Sequence, residues 1–243
     1  MDFELVRIVL ALAMLSIASF LDLRKREVSD MLWVAFGVAA GMIYIFDFPA
    51  TFTEQSTVAI SLLLTAIISF GIYKSGMFGG ADALGLVVFA AIMPTFSGWP
   101  ATGGIVPQAT FHPIASLIVL SNAIILSLFG IIVNIAKNLA YARNSGNLFV
   151  GLEHESVIRK TIALIIGHRT RKPRYAFPIE TMVDRRRVFD FALKSAENVE
   201  YETRSDVWVM SGTPLLVYMF AGFTVMLIVG DLMALAYSIF RPT

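Results

Sequence analysis

The chain has 243 residues, enough for one or two domains; 57% of it is hydrophobic, only 15% is charged, and the mean hydropathy is +0.74. So little charge argues against a water-soluble domain and for a protein that crosses a membrane several times. The 19 basic and 18 acidic residues leave a net +1, which gives no case for nucleic-acid binding, and the absence of cysteine excludes disulfides, thiolate metal sites and a cysteine nucleophile.

Apolar length predicts six transmembrane helices, at about 4–22, 31–48, 57–75, 81–96, 114–136 and 211–240. The N-terminus carries Asp2 and Glu4 and no cleavable leader pattern, so the first run is expected to persist as an anchor. Its interior charge is Arg7, near one end; Asp22 closes it, and the basic cluster Arg24-Lys25-Arg26 follows. The second run stops at Asp47-Phe48-Pro49, where Asp47 reads as turn chemistry. The third ends at Lys74 and a glycine-rich hinge, Gly76-Met77-Phe78-Gly79-Gly80, and the fourth opens on Ala81-Asp82 and runs to Phe96. Their apolar runs, Val58 to Tyr73 and Ala81 to Phe96, are short, about sixteen residues or about 24 Å against about 30 Å of hydrocarbon, which leaves room for water beside the hinge.

A loop rich in Gly, Pro and Thr leads to the fifth run. Residues 137–210 are too polar for lipid and are expected to form a small cytoplasmic module of mixed structure between helices 5 and 6. The fold class is therefore an all-α polytopic membrane protein with that insertion: a membrane domain over 1–136, the module over 137–210 and the last helix within 211–240. Within the module, Ser156 to Ile166 predicts an amphipathic helix against the membrane, and Tyr175-Ala176-Phe177 a strand or loop. Arg185 to Glu202 fits either a helix or a hairpin.

Lys and Arg set the expected orientation. They crowd the loop after the first run, the hinge and the 137–210 segment, whereas the stretches from Asp47 to Ser56 and from Ser97 to His112 hold none. Both chain ends are thus expected outside, with Asp22, Asp82 and the module facing the cytoplasm, in a multi-pass protein of the cell membrane.

Carboxylates beside hydrocarbon are costly and need a reason. Asp82 suits a helix N-terminus, and Asp22 suits pairing with Arg24 or Arg26; these simpler roles stand beside a catalytic one. If the two acids meet, they cannot both ionise: one takes a proton from water while the other polarises a carbonyl. No Ser-His-Asp pattern is present, and His112, His154 and His168 lack ligand spacing, so neither metal nor cofactor is expected. Gly76, Gly79 and Gly80 lack a Cβ, which permits positive φ and close approach of an extended substrate.

Asp22-Leu23-Arg24-Lys25-Arg26-Glu27-Val28-Ser29-Asp30 resembles the first cytoplasmic motif of the type IV prepilin peptidase superfamily. Gly79-Gly80-Ala81-Asp82 resembles the Gly-x-Gly-Asp motif of the GxGD aspartic proteases, and order and topology look most like archaeal preflagellin peptidases. Ala81 replaces the second motif glycine, and Leu84 stands where many relatives have lysine. The resemblance implies an aspartic endopeptidase with catalytic Asp22 and Asp82 and a substrate-approach loop of Gly76, Gly79, Gly80 and Ala81. Its substrates would be archaellin or pilin-like precursors, with a short basic leader and a hydrophobic segment, cut at the cytoplasmic face beside membrane lipid. Glu27 and Asp30 are candidates for attracting the leader, although pairing with the neighbouring bases is simpler. Pro214-Leu215-Leu216 is faintly similar to a presenilin-type proline motif but reads first as a proline in a first helical turn. A signal-peptide-peptidase-type intramembrane protease and a proton-coupled transporter using the same acids are the alternatives.

Overall fold

The computed structural model describes residues 3–76, 78–96, 110–192, 201–212 and 214–240; Met77 of the hinge, residues 97–109 of the expected outer loop and residues 193–200 of the module lie outside the described residues. The protein is mostly helical and falls into two compact units, residues 1–126 with 214–243, and residues 127–213.

The first unit contains α1 (Phe3–Lys25), α2 (Asp30–Phe46), α3 (Phe52–Lys74), α4 (Gly80–Ile92), α5 (Ala115–Ser127, its last residue falling in the second unit), α8 (Leu215–Ile228) and α9 (Leu232–Phe240). Its core interleaves Met14, Leu15 and Ala18 of α1, Leu86 and Phe89 of α4, Ile118 and Val119 of α5, and Leu216, Met219 and Phe223 of α8. The outward faces are equally apolar: Val34, Val38, Met42 and Ile45 on α2, and Ile60, Leu63, Ile67 and Phe70 on α3, are all exposed. Helical stripes of that kind on both sides of a helix require lipid rather than water as the outer solvent.

The helices differ in length from the expectation. Among the described residues, three apolar helical stretches are long enough to cross a bilayer: Phe3–Lys25, Phe52–Lys74 and Ala115–Ser145. Leu215–Ile228 and Leu232–Phe240 make a fourth only as a pair, bent by 56°. At 17 and 13 residues, α2 and α4 are shorter than the roughly 20 residues a straight span needs. The third helix is not short, because Thr51 and Glu54 form a capping box that starts it at Phe52. The fourth does not reach Phe96: Pro94 disfavours helix at Met93 (φ −132°, ψ 81°), and the chain leaves extended, with Phe96 N donating to Pro113 O at 2.7 Å.

Short α4 is nevertheless the hub of this unit, packing against α1, α2, α3 and α8. Gly85 permits this, since a Cβ there would stand 2.9 Å from Leu216 Cδ2 and 3.1 Å from Trp33 Cη2. The α8–α9 bend is held by buried Asn122, which donates to Gly222 O (3.2 Å) and Gly230 O (3.0 Å) and accepts from Leu232 N (2.9 Å). Gly230 O and Leu232 N lie at the break between α8 and α9, where helical backbone partners are missing, whereas Gly222 lies inside α8.

The described residues of the second unit form α6 (Phe129–Ser145), α7 (Val157–Ile166) and the short strands β1 (His168–Thr170), β2 (Ala176–Pro178), β3 (Glu180–Val183), β4 (Arg186–Phe189) and β5 (Val207–Ser211). The strands make an antiparallel sheet in the order β1-β5-β2 and a separate β3–β4 hairpin. Asp184 (φ 49°) and Arg185 (φ 64°) both take positive φ in the two-residue hairpin turn, so the start of the ambiguous Arg185–Glu202 stretch is hairpin rather than helix. Leu152, Ala163, Ile179, Phe189 and Trp208 form the core of this unit. Ser156 caps α7, accepting from Arg159 N at 3.3 Å.

Candidate active site

Asp22 lies in the last turn of α1, and Asp82 in the first turn of α4. The local sequence explains each end. Helix α1 closes with Arg26 in the left-handed region (φ 57°), its N–H still bonded to Asp22 O at 3.0 Å. A non-glycine residue there costs of order 1 kcal/mol, and it turns the Arg26 side chain back towards Asp22, with Nη1 at 4.0 Å from Oδ1. Helix α3 stops at Gly76, whose φ of 68° lets its N–H reach Tyr73 O at 3.1 Å.

Helix α4 then opens on Gly79, whose N–H donates to Asp82 Oδ2 at 3.1 Å. The carboxylate therefore does cap the helix, by reaching back from the third helical position. Gly79 itself is in ordinary extended conformation (φ −76°, ψ 164°), and a Cβ on it would meet Asp82 Oδ2 at an unstrained 3.8 Å. Of the hinge glycines, Gly76 uses its conformational freedom and Gly79 does not; Gly80 and Ala81 are already helical. Ala81 packs against the core of the unit, so its methyl is accommodated at the position where the motif has glycine.

The two acids act electrostatically on one another, and both feel Arg26. Asp82 is half-buried, and the backbone N–H of Leu216 from α8 also acts on its carboxylate. Sequence reasoning missed this third contributor. Its signal was Pro214, which precedes the first residue of α8 and marks a helix N-terminus with free amides aimed outward. Exposed Glu27 and Asp30 lie in the same α1–α2 connection and its helical continuation; among the described residues neither forms an ion pair. Exposed Leu84 stands two residues after Asp82 on α4.

Asp47 is not mere turn chemistry. Its Oδ2 accepts from Arg7 Nη2 at 3.3 Å, while Arg7 Nη1 donates to Ile92 O at 2.9 Å and the guanidinium lies 4.7 Å from the Tyr44 ring centre. Arg7 and Asp47 are nearly equidistant from the α1–α2 turn, a symmetry along a helical hairpin that the sequence contained. This pair sits at the opposite end of α1 from Asp22.

The type IV leader peptidase family matches residues 9–136, a stretch that includes both Asp22 and Asp82. No curated protein matches the chain.

Proposed function

The chain belongs to the type IV leader peptidase family, and we propose that it is a membrane-embedded aspartic endopeptidase whose catalytic pair is Asp22 and Asp82. The observation that carries this reading is that two carboxylates from separate helices lie within electrostatic reach of each other, Asp82 on the helix that α1, α2, α3 and α8 all pack against and both within the matched region. The pair shares one proton. The ionised carboxylate accepts a proton from the attacking water and later passes it to the leaving amine; the protonated one donates to the scissile carbonyl oxygen and recovers that proton as the C–N bond breaks. The Leu216 N–H and the Gly79 N–H hold Asp82 in place, so the carboxyl has one productive orientation.

The substrates are archaellin or pilin-like precursors, and their basic leaders are drawn by Glu27 and Asp30, which have no ion-pair partner among the described residues. The hydrophobic segment after the leader lies in lipid, and the open space at Gly79 admits extended backbone beside Asp82. All six apolar segments lie in the membrane, α2 and α4 as short spans and α8–α9 as a bent one, with both chain ends outside and the acids at the cytoplasmic face. Short α4 brings water to Asp82.

The test is cleavage of a leader-bearing precursor by reconstituted protein. Asp22→Asn and Asp82→Asn are each expected to abolish processing while helical content and melting temperature stay unchanged; processing at the wild-type rate in either variant would sink the dyad. Mapping the cut separates this enzyme from an intramembrane protease, which cuts within the hydrophobic segment instead of at the leader boundary.

A further inference from the structure

The 127–213 unit has a cavity of about 530 Å³ that the proteolytic reading does not use. Lys137, His168, Arg169, Arg171, Lys172 and Arg174 line it, and no Asp or Glu among the described residues does. Arg169 is committed elsewhere, donating from Nε and Nη2 to Asp206 at 2.8 Å each and from Nη1 to Leu148 O at 2.7 Å. Arg171 donates to Ser145 Oγ at 2.9 Å, a neutral partner that leaves its charge unbalanced. Lys137, Lys172 and Arg174 have no carboxylate partner among the described residues. Like charges gathered round one concavity repel, and an anion inside it relieves them.

His168 adds an independent sign. It lines the cavity and is only 8% exposed, yet its Nδ1 has no hydrogen-bond partner among the described residues. A buried ring nitrogen without a partner is costly unless a ligand or water meets it. Burial, with Lys137 adding to it, holds the imidazole down to about 4, so at neutral pH the ring offers polar atoms without another charge.

The cavity also lies beside the apolar boundary of its own unit. Ahead of Lys137, α6 exposes Phe129, Ile132, Val133 and Ile135; after it Leu139 is the one exposed large apolar residue, followed by Tyr141, Arg143 and Asn144. Helix α7 is tied to α6 by Asn134 Nδ2 to Ile165 O and Asn138 Nδ2 to Gly167 O, each 3.0 Å, and exposes Val157, Ile158, Ile162 and Ile165. Apolar surface ending at a basic cluster is the pattern of a headgroup-level site.

We propose that this cavity binds the phosphate of an anionic phospholipid headgroup, through Lys137, Arg171, Lys172 and Arg174 with His168 as a neutral partner. Phosphate suits paired guanidinium and ammonium donors, and the adjoining apolar faces favour a phosphate that carries acyl chains.

Full-length protein in neutral detergent is titrated with phosphatidylglycerol, phosphatidylcholine and inorganic phosphate, and bound ligand is counted by native mass spectrometry. Wild-type protein is expected to bind phosphatidylglycerol saturably and in preference to phosphatidylcholine. The triple variant Lys137→Gln/Lys172→Gln/Arg174→Gln is expected to bind it roughly a hundredfold more weakly. All three side chains are exposed, and Lys172→Gln alone, expected to lose about fivefold, serves if the triple variant does not fold. Equal binding of the two lipids, or wild-type affinity in the triple variant, overturns the proposal. Inorganic phosphate that displaces the lipid at equal concentration also overturns it, by assigning the cavity to a soluble anion. None of these readouts involves cleavage, so the lipid site and the aspartate pair fail separately.

Discussion

Among the described residues of the helical unit, the buried polar side chains are neutral apart from Asp231, and most of them bond to backbone. Ser19 donates to Leu216 O at 2.9 Å, Ser61 to Pro94 O at 2.6 Å, and Asn122 closes the ends of α8 and α9. In the 127–213 unit they come as charged networks. Arg169 pairs with Asp206, which also accepts from the Tyr141 hydroxyl; Arg187 reaches Glu180 Oε1 at 2.5 Å, and Glu180 Oε2 accepts from Trp208 N at 3.3 Å. The solvents differ, and with them the means of cohesion. Helices sheathed in lipid gain no hydrophobic drive from one another, so close packing of small residues and single hydrogen bonds hold them. A small sheet unit with few apolar residues leans on arginine forks whose geometry fixes its strands. The Asp22–Asp82 pair stands out in this contrast, because it brings two like charges on separate helices within reach of one another.

That exception sets the largest expected effect. Asp82→Asn keeps the shape and the contact with Gly79 N but removes the titratable proton, and should lower cleavage by at least about a thousandfold with little change in thermal stability. A variant that is inactive because it unfolds would make Asp82 a cap and nothing more. Next comes Asp206→Asn, which retains a residue type tolerant of φ 60° and leaves Arg169, whose side chain is 2% exposed, without its countercharge. The 127–213 unit should lose about 3 kcal/mol, seen as faster proteolysis within it, while helix packing elsewhere is unaffected. Uniform loss across both units would erase the distinction drawn between them.

Gly222→Ala probes the other kind of cohesion. Its Cβ would meet Val119 O at 2.8 Å and Ala123 N at 2.9 Å, backbone atoms that cannot step aside, so α5 and α8 must separate. The expected cost is about 1–3 kcal/mol, independent of salt, whereas the Asp206 effect should depend on it weakly, because the pair is partly screened.

Acid provides a test without mutation. Burial and Lys137 hold His168 down to about 4, below its ordinary 6.5, so the unfolded chain takes the proton first. Stability of the sheet unit is therefore full above pH 6.5 and declines as pH falls towards 4. The Arg169 hydrogen bonds hold Asp206 below its ordinary value, so a second loss follows below about pH 4. His168→Gln should remove the first loss and spare the second. The smallest effect is expected of Ala81→Gly, which restores the motif in a first helical turn: unaltered processing and less than about 1 kcal/mol in stability. An inactive but folded Ala81→Gly protein would show that the alanine methyl positions Asp82.

Much of the molecule was legible along the chain. Apolar run lengths located the helices, Ser156 the start of α7, and the two motifs the acids, since each is a property of a few adjacent residues. What misled was equally local. Pro94 ends α4 at Ile92 although the apolar run goes on to Phe96, and Asp47 resembled turn chemistry because its partner Arg7 belongs to another helix. Gly79 looked like a conformational necessity, but it takes ordinary extended angles and a Cβ there would meet Asp82 Oδ2 at an unstrained 3.8 Å. The strand pairings of the sheet unit were not readable at all: β1 and β2 meet only through β5, far along the chain, and no short-range pattern encodes that register.

Composition and run length were enough to show that the helices suit lipid, roughly where the apolar helices lie, and that acids stand at the ends of two of them. Those outcomes follow from side-chain transfer energies and capping, which act over a turn or two of helix. Only packing decided that the 13-residue α4 is a helix on which α1, α2, α3 and α8 converge, and that Asp22, Arg26, Asp82 and the Leu216 amide share one locality. It also decided which cations of the sheet unit are paired and which crowd an open cavity. Contacts between residues remote in sequence depend on how whole helices and strands pack, and electrostatics acts through distances that only packing sets.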